Sequence, residues 1–91
     1  MTTLVVRHTV EDFDRWSTGF KDHGEVRRSH GATGHRVLRD GNHVLALMDF
    51  PDADSAAAFE ADTSLKEAMH RAGVIGAPEI SVWSEDSEER Y

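Results

Sequence analysis

The chain has 91 residues, with ten Lys and Arg, seventeen Asp and Glu and no cysteine, which predicts one small domain without disulfides or thiolate metal sites. Its formal charge of -7 argues against nucleic acid as a partner, because phosphate backbones attract basic surfaces. No segment reaches the roughly 20 apolar residues of a membrane span. The N-terminal sequence MTTLVVRH lacks the basic and apolar regions of a signal peptide. We therefore expect a cytoplasmic protein with no membrane partner.

The first third of the sequence predicts a strand followed by a helix. Leu4–Val10 is rich in valine, as strands are. The helix begins at Glu11 or Asp12, because acidic side chains favour the positive end of the helix dipole, and it ends near His30-Gly31. One face of this helix is defined by residues that recur every three or four positions: Phe13, Trp16, Phe20 and His23.

The rest of the sequence predicts three more strands and a second helix in two pieces. The predicted elements are strands Gly34–Arg39 and His43–Phe50 around a turn at 40–42, helical pieces Ser55–Ala61 and 64–73, and a strand Glu79–Ser84. The second helical piece begins with a capping box at Ser64. Residues 74–78 are predicted as a loop and residues 85–91 as an acidic tail.

The order βαββαβ predicts an α+β, ferredoxin-like domain over residues 1–84, with a four-stranded antiparallel sheet. Right-handed crossovers place both helices on one face of that sheet. Val44–Met48 is apolar without interruption, which is typical of a strand buried on both faces. We therefore expect a homodimer in which a second copy covers the open sheet face. The alternative is a monomer that tolerates an exposed face.

Four segments within about residues 3–83 carry a family resemblance: VRHTVEDFDRW, GATGHRVLRDGNHVLALMDF, AAAFEADTSLKEAMHRAGV and GAPEI. The sequence resembles the dimeric α/β-barrel superfamily that includes the antibiotic biosynthesis monooxygenases, and within it the small bacterial proteins labelled as cyclases or monooxygenase-like. The resemblance implies a dimeric α/β barrel with a small-molecule pocket between sheet and helices. It implies no single reaction, because the superfamily hosts cofactor-free oxygenases, polyketide cyclases, haem-degrading enzymes and proteins without known activity.

Members of that superfamily that oxidise phenols or degrade haem tend to use a pocket asparagine with a tryptophan or a histidine. The only asparagine here is Asn42, which falls in the predicted hairpin turn. No catalytic residue is therefore carried over from the family.

His8 is the candidate catalytic residue. Alternation along the first strand places it on the helix-covered face, toward which Trp16 and Phe20 also point. A histidine there can act as acid or base near neutral pH, with Trp16 and Phe20 as apolar walls of a substrate site. The alternative is a structural histidine that is bonded to a backbone carbonyl or to Asp12.

Other polar residues are weaker candidates. His35 or Arg36 is a possible polar anchor for a substrate, and His43 a possible second member of a proton-handling pair with His8. Arg27 and Arg28 are expected on a solvated helix face.

No metal site is expected, because His23 and His30 are seven residues apart on one helix, too far to share an ion.

These observations lead to three functional hypotheses. The first is a small-molecule enzyme of secondary or aromatic metabolism that needs no cofactor and acts on an apolar, phenolic or polyketide-like substrate by cyclisation or oxygenation. The second is a non-catalytic ligand-binding or stress-associated dimer, with a small pocket and with His8 bonded to the backbone. The third is haem binding, which needs an open pocket and a histidine directed at the iron.

Overall fold

The computed structural model describes residues Met1–Tyr91 and confirms the predicted α+β architecture. The elements are, in chain order, β1 (Thr2–Val10), α1 (Phe13–Asp22), α2 (Gly24–Ser29), β2 (Gly34–Asp40), β3 (His43–Phe50), α3 (Ala53–Glu60), α4 (Thr63–Arg71) and β4 (Val74–Ser84). The strands form one antiparallel sheet in the order β2-β3-β1-β4. None of the helices has the length and apolar character needed to span a membrane.

The β2–β3 hairpin turns at Gly41 and Asn42, and this turn sets the register of the two strands. Asp40 lies opposite His43, and His35 lies opposite Met48. Gly41 in the turn has a φ of 59°, a left-handed conformation that glycine adopts without steric penalty. The turn sequence therefore fixes which residues of both strands share a face.

The two faces of the sheet differ in their environment. Alternate residues of β1, from Leu4 to Val10, are buried beneath the helices, and Phe50 of β3 and Phe59 of α3 are the largest fully buried side chains of the core there. Each large side chain buried in this way contributes roughly 1.5–3 kcal/mol. The other surface, here called the open face, is covered by no element of the chain and carries these residues: Thr3, Val5, Arg7, Leu38, Leu45, Leu47, Glu79, Ser81 and Trp83.

The predicted single helix from residue 11 or 12 to residue 30 is wrong, because the structure divides it into α1 and α2 at His23. The backbone of His23 has φ -85° and ψ 2°, outside the helical region. Gly19 and Gly24 lie on either side of the break, and each glycine weakens a helix interior by about 1 kcal/mol relative to alanine. The break leaves His23 and α2 packed beside the core rather than on a continuous helix.

The start of α4 also differs from the prediction. Asp62, not Ser64, is the N-cap, and its carboxylate accepts a hydrogen bond from the backbone N–H of Ser64 at 2.9 Å. The Ser64 hydroxyl instead bonds to His23, 3.0 Å away. A tertiary contact thus replaces the local capping box that the sequence pattern predicted.

The predicted loop over residues 74–78 is wrong, because these residues form the first half of β4. The pairing with β1 shifts between Arg7 and Thr9, which face Glu79 and Ile75 respectively. Gly76, with a φ of 71°, and Pro78 lie within this β-bulge. An edge strand tolerates both residues, because its outer N–H groups need no partner in the sheet. Residues 85–91 have no regular secondary structure and are exposed.

Candidate functional site

A cavity of about 40 Å³ lies between the sheet and the helices, where the sequence places a pocket. Its walls are mostly apolar and include Trp16, Phe20 and Met69. Three polar side chains line it: His8 from β1, His23 from the α1–α2 junction and Arg27 from α2. The site therefore combines an apolar interior with a few convergent nitrogen donors, the composition that ligand sites commonly have.

His8 is buried in this cavity without a hydrogen-bond partner. The residue is 7 % exposed, and neither ring nitrogen is bonded to another group of the protein. It lies opposite Val44 in β3 and has no paired residue in β4, because the bulge falls beside it. Buried polar groups are nearly always bonded, so an unpartnered imidazole in a cavity is an unusual feature that is directed at something other than the protein.

His8 is bonded neither to a backbone carbonyl nor to Asp12 or His43, the partners that the sequence suggested. Asp12 does not contact it, because the Asp12 carboxylate caps α1 by accepting from the backbone N–H groups of Asp14 and Arg15. His43 lies on the open-face side of the sheet, where its Nδ1 is 3.1 Å from the Thr9 hydroxyl. His8 thus has neither the structural anchor nor the second histidine that the sequence suggested.

Burial lowers the pKa of His8 below its usual value of 6.5. Removing an imidazolium from water is unfavourable, and no carboxylate compensates here. His8 is therefore a neutral imidazole at neutral pH. One of its nitrogens carries a lone pair and the other an N–H, so it can accept or donate a proton in this largely apolar cavity.

Trp16 and Phe20 form an aromatic wall from His8 to the sheet edge. The Trp16 ring is 5.4 Å from His8 and stacks on Phe20 at 5.0 Å with 23° between the planes. Phe20 in turn meets the edge of His35 at 4.9 Å. The Trp16 and Phe20 rings thus present an apolar aromatic wall to the cavity.

The two residues predicted as polar anchors for a substrate, His35 and Arg36, lie on different sides of the sheet. His35 is an exposed residue beside the cavity, with its ring against Phe20; partial burial of the ring and the nearby charge of Arg27 lower its pKa. Arg36 lies opposite Leu47 on the open-face side, so the structure does not bring it to the cavity. Of the five residues that the sequence singled out, the structure gathers His8, Trp16 and Phe20 around the cavity, with His35 beside them.

Arg27 is the residue that sequence reasoning missed. Its predicted exposure is wrong: it is 6 % exposed, with the guanidinium carbon 3.6 Å from the centre of the Phe20 ring. Burial, together with the charge of Arg28, lowers the Arg27 pKa to about 10, which still leaves it a cation at neutral pH. The spacing of Phe20, His23 and Arg27, at three and four residues, continues the inward helix face and was the available signal.

The remaining histidines near the site have ordinary partners. His23 bonds to Ser64, and its pKa is lowered by burial and by Arg27. His30 bonds to Asp62 at 2.9 Å, and the hydrogen bonds from His30 and Ser64 lower the Asp62 pKa to about 2. No three His, Cys, Asp or Glu side chains are arranged to hold a metal ion.

The size of the cavity bears on all three functional hypotheses. A volume of about 40 Å³ has room for a few water molecules, whereas pockets for drug-sized ligands begin near roughly 300 Å³. A haem group does not fit. The small volume agrees with the non-catalytic hypothesis, but the unbonded His8 contradicts the backbone bond that this hypothesis predicted.

Solved structures share this fold, although no family model and no curated protein matches the sequence. SnoaB, a cofactor-independent oxygenase from Streptomyces nogalater, is 17% identical, with a TM-score of 0.78 over 96% of this chain and 94% of its own. A protein from Bordetella bronchiseptica described as a candidate antibiotic biosynthesis monooxygenase is 12% identical, with a TM-score of 0.75 over 94% and 97%. A conserved protein from Methanosarcina mazei Go1 is 15% identical, with a TM-score of 0.73 over 93% and 92%.

At these identities the likeness shows the fold alone. The chain has the ferredoxin-like fold of antibiotic biosynthesis monooxygenases, as the sequence resemblance predicted. Asn42 lies in the β2–β3 turn, where its backbone carbonyl accepts from the N–H of Val10, and it does not line the cavity.

Proposed function

We propose that the chain is an enzyme of aromatic small-molecule metabolism that acts on a phenolic or polyketide-like substrate without a cofactor. The observation that carries this proposal is His8, a neutral imidazole buried in an aromatic-walled cavity with both nitrogens unbonded. The fold shared with a cofactor-independent oxygenase supports it.

In the proposed mechanism His8 acts as the general base. It removes a proton from a phenol, or from a carbon that neighbouring carbonyl groups make acidic, and leaves an electron-rich anion. With molecular oxygen, the carbanion forms a C–O bond while the oxygen is reduced, and the imidazolium returns its proton to give a hydroperoxide. His8 then removes the second proton of that carbon as the O–O bond breaks, which leaves a carbonyl group and water. In a cyclisation, the anion instead attacks a carbonyl carbon of the same substrate, and the resulting alkoxide takes the proton back from the imidazolium. The imidazolium that forms is stabilised by the adjacent substrate anion, which offsets the unfavourable burial of its charge.

Trp16 and Phe20 position the substrate in this mechanism. Their stacked rings provide a flat apolar surface beside His8, and holding the reacting groups in place lowers the barrier. An aromatic ring enters only if side chains at the cavity move. Met69 of α4 is the side chain suited to this, because it is half-buried, lines the cavity and has an unbranched, adaptable chain.

The proposed assembly is a homodimer through the open face. Val5, Leu45 and Leu47 lie there only partly buried, and Trp83 is 61% exposed. Covering these side chains with the same surface of a second copy removes apolar area from water and yields the dimeric α/β barrel.

Oxidation of 1,8-dihydroxyanthrone tests the proposed chemistry, because its methylene group is acidic and its conversion to the anthraquinone is visible by absorbance. We expect the protein to consume one oxygen molecule per anthrone oxidised. The His8→Gln variant should be slower by roughly 100-fold or more, the usual effect of losing a general base.

His70→Gln is the matched control, since His70 is exposed on α4 and does not line the cavity. It should oxidise the anthrone like the unaltered protein. Equal rates for His8→Gln and His70→Gln would exclude His8 as the base.

A non-catalytic ligand-binding dimer is the second candidate, and the small cavity volume favours it. It predicts that phenolic ligands bind beside His8 and shift its imidazole signals in NMR spectra, while the anthrone is oxidised no faster than in buffer.

A further inference from the structure

We propose that the ligand of this cavity is anionic: an aromatic carboxylate whose ring lies along Trp16 and Phe20 and whose carboxylate is bound by the guanidinium of Arg27. The inference rests on the proposed function for the aromatic part of the ligand and adds its charge. The observation behind it is that Arg27, a buried cation, has no counter-charge.

Arg27 stands apart from the other charged residues of the chain. The ion pairs of the structure are Arg15–Glu11, Arg28–Glu25 and His30–Asp62, and Arg27 takes part in none of them. Its guanidinium also makes no hydrogen bond to the protein. Its chain neighbour Arg28 shows the ordinary arrangement, an exposed side chain paired with Glu25.

Burial of the Arg27 side chain weakens the solvation of its charge, although its guanidinium nitrogens keep some contact with solvent. The face of Phe20, 3.6 Å away, compensates part of this loss but satisfies none of the five N–H donors. A carboxylate would satisfy two of these donors, since its two oxygens can accept two parallel hydrogen bonds from the planar guanidinium.

The surroundings of the cavity favour an anion even though the chain carries a formal charge of -7. No Asp or Glu lines the cavity, and its polar side chains are His8, His23 and Arg27. Asp62, the carboxylate whose charge reaches His23, is already engaged by His30 and by the backbone of Ser64. A ligand carboxylate bound at Arg27 would thus meet a cation and no competing carboxylate.

The geometry also assigns the two ends of the ligand. Arg27 and His8 line one cavity with Phe20 and Trp16 between them, because Arg27 lies on Phe20 and His8 lies against Trp16. A ring held along this wall places its carboxylate at Arg27 and another edge near His8. Arg27 then fixes the orientation in which the proposed base reaches its proton.

Benzoate and benzamide test the proposal, because they have nearly the same shape and differ in charge. Binding to the full chain is measured by isothermal titration calorimetry and by shifts of the His8 and Trp16 side-chain NMR signals. We expect benzoate to bind at least about tenfold more tightly than benzamide, as a charge-assisted bidentate contact provides. In Arg27→Met this preference should disappear.

Arg28→Met is the matched control, because it removes an adjacent but exposed arginine of the same helix. It should keep the preference for benzoate. Equal affinities of the unaltered protein for benzoate and benzamide, or equal losses in the two methionine variants, would overturn the proposal.

The stability of Arg27→Met provides a second, independent measurement. If Arg27 is kept for a ligand, replacing it with an apolar chain of similar length should leave the melting temperature unchanged or raise it, since an unpaired buried charge is removed. A marked fall in the melting temperature would make Arg27 a structural residue and overturn the proposal.

Failure of this inference is distinguishable from failure of the proposed function. Oxidation of the uncharged anthrone without a preference for benzoate supports the proposed enzyme and refutes the anion site. A preference for benzoate that depends on Arg27, without anthrone oxidation, supports the anion site and leaves the non-catalytic candidate.

Discussion

Three histidines around the cavity share one electrostatic property. Burial lowers the pKa values of His8, His23 and His35 below 6.5, and Arg27 lowers those of His23 and His35 further. The buried positive charge of Arg27 and the apolar walls therefore keep the nearby imidazoles neutral. This is the protonation state in which a histidine can accept a proton from a substrate.

These shifts predict how stability depends on pH. The unfolded histidines bind protons near pH 6.5, whereas the folded ones bind them only at lower pH, so the free energy of unfolding falls as the pH drops below about 6.5 and is level above it. We expect a lower melting temperature at about pH 5.5 than at about pH 7.5. The decrease should be smaller in His8→Gln, because one of the contributing groups is removed.

His70→Gln serves as the comparison for this prediction, as the exposed His70 lies away from the cavity. It should show the full decrease in melting temperature. A decrease that is the same in His8→Gln and in the unaltered protein would show that His8 does not contribute to it.

At the level of elements, α1 positions the aromatic wall, and its first turn holds it in place. Asp12 closes the N-terminus by accepting hydrogen bonds from Asp14 N–H at 2.9 Å and from Arg15 N–H at 3.3 Å. Trp16 lies in the next turn, with its backbone N–H bonded to the Asp12 carbonyl. The cap and the cavity wall are therefore parts of one short helix.

Substituting Asp12 should show the contribution of this cap. We expect Asp12→Ala to lower the free energy of unfolding by about 1 kcal/mol, the usual effect of losing an N-cap acceptor. Urea denaturation followed by tryptophan fluorescence measures it, since Trp16 is buried and its emission reports on the core. Asp12→Asn keeps an acceptor oxygen and should remain close to the unaltered protein; a loss equal to that of Asp12→Ala would contradict the capping role.

At the scale of the whole molecule, one layer of helices covers one face of the sheet and leaves the other uncovered. β1 and β3 are central strands, and their residues on the open face include Val5, Leu45 and Leu47. Apolar side chains on both faces of a central strand are typical of a sheet that is covered on both sides. A second copy of the chain is the cover that we propose.

Trp83→Glu should disrupt this dimer. Trp83 is 61% exposed on the open face, so its replacement disturbs little of the monomer core but places two carboxylates in the proposed interface. We expect sedimentation velocity to show a dimer for the unaltered chain and a monomer for the variant. Tyr91→Glu, an exposed aromatic residue in the tail, should remain dimeric, and a monomeric unaltered chain would refute the proposed assembly.

Features that depend on local spacing could be predicted from the order of the residues. The two-residue period of β1 placed His8 on the helix-covered face, and the Gly41 turn fixed the hairpin register. The inward positions of Trp16 and Phe20 followed from the helical repeat. These patterns can be recognised in the sequence because each depends on residues only a few positions apart.

Features that depend on residues far apart in the chain could be seen only in the folded structure. Asp62 rather than Ser64 caps α4, since the Ser64 hydroxyl bonds to His23, 41 residues away in the chain. The bulge of β4 beside His8 became visible only through the pairing with β1. Arg27 had the spacing of an inward residue, but its charge predicted exposure, since arginines are seldom buried. Its burial depends on packing against Phe20 and on the cavity, and no local pattern in the sequence reveals either of them.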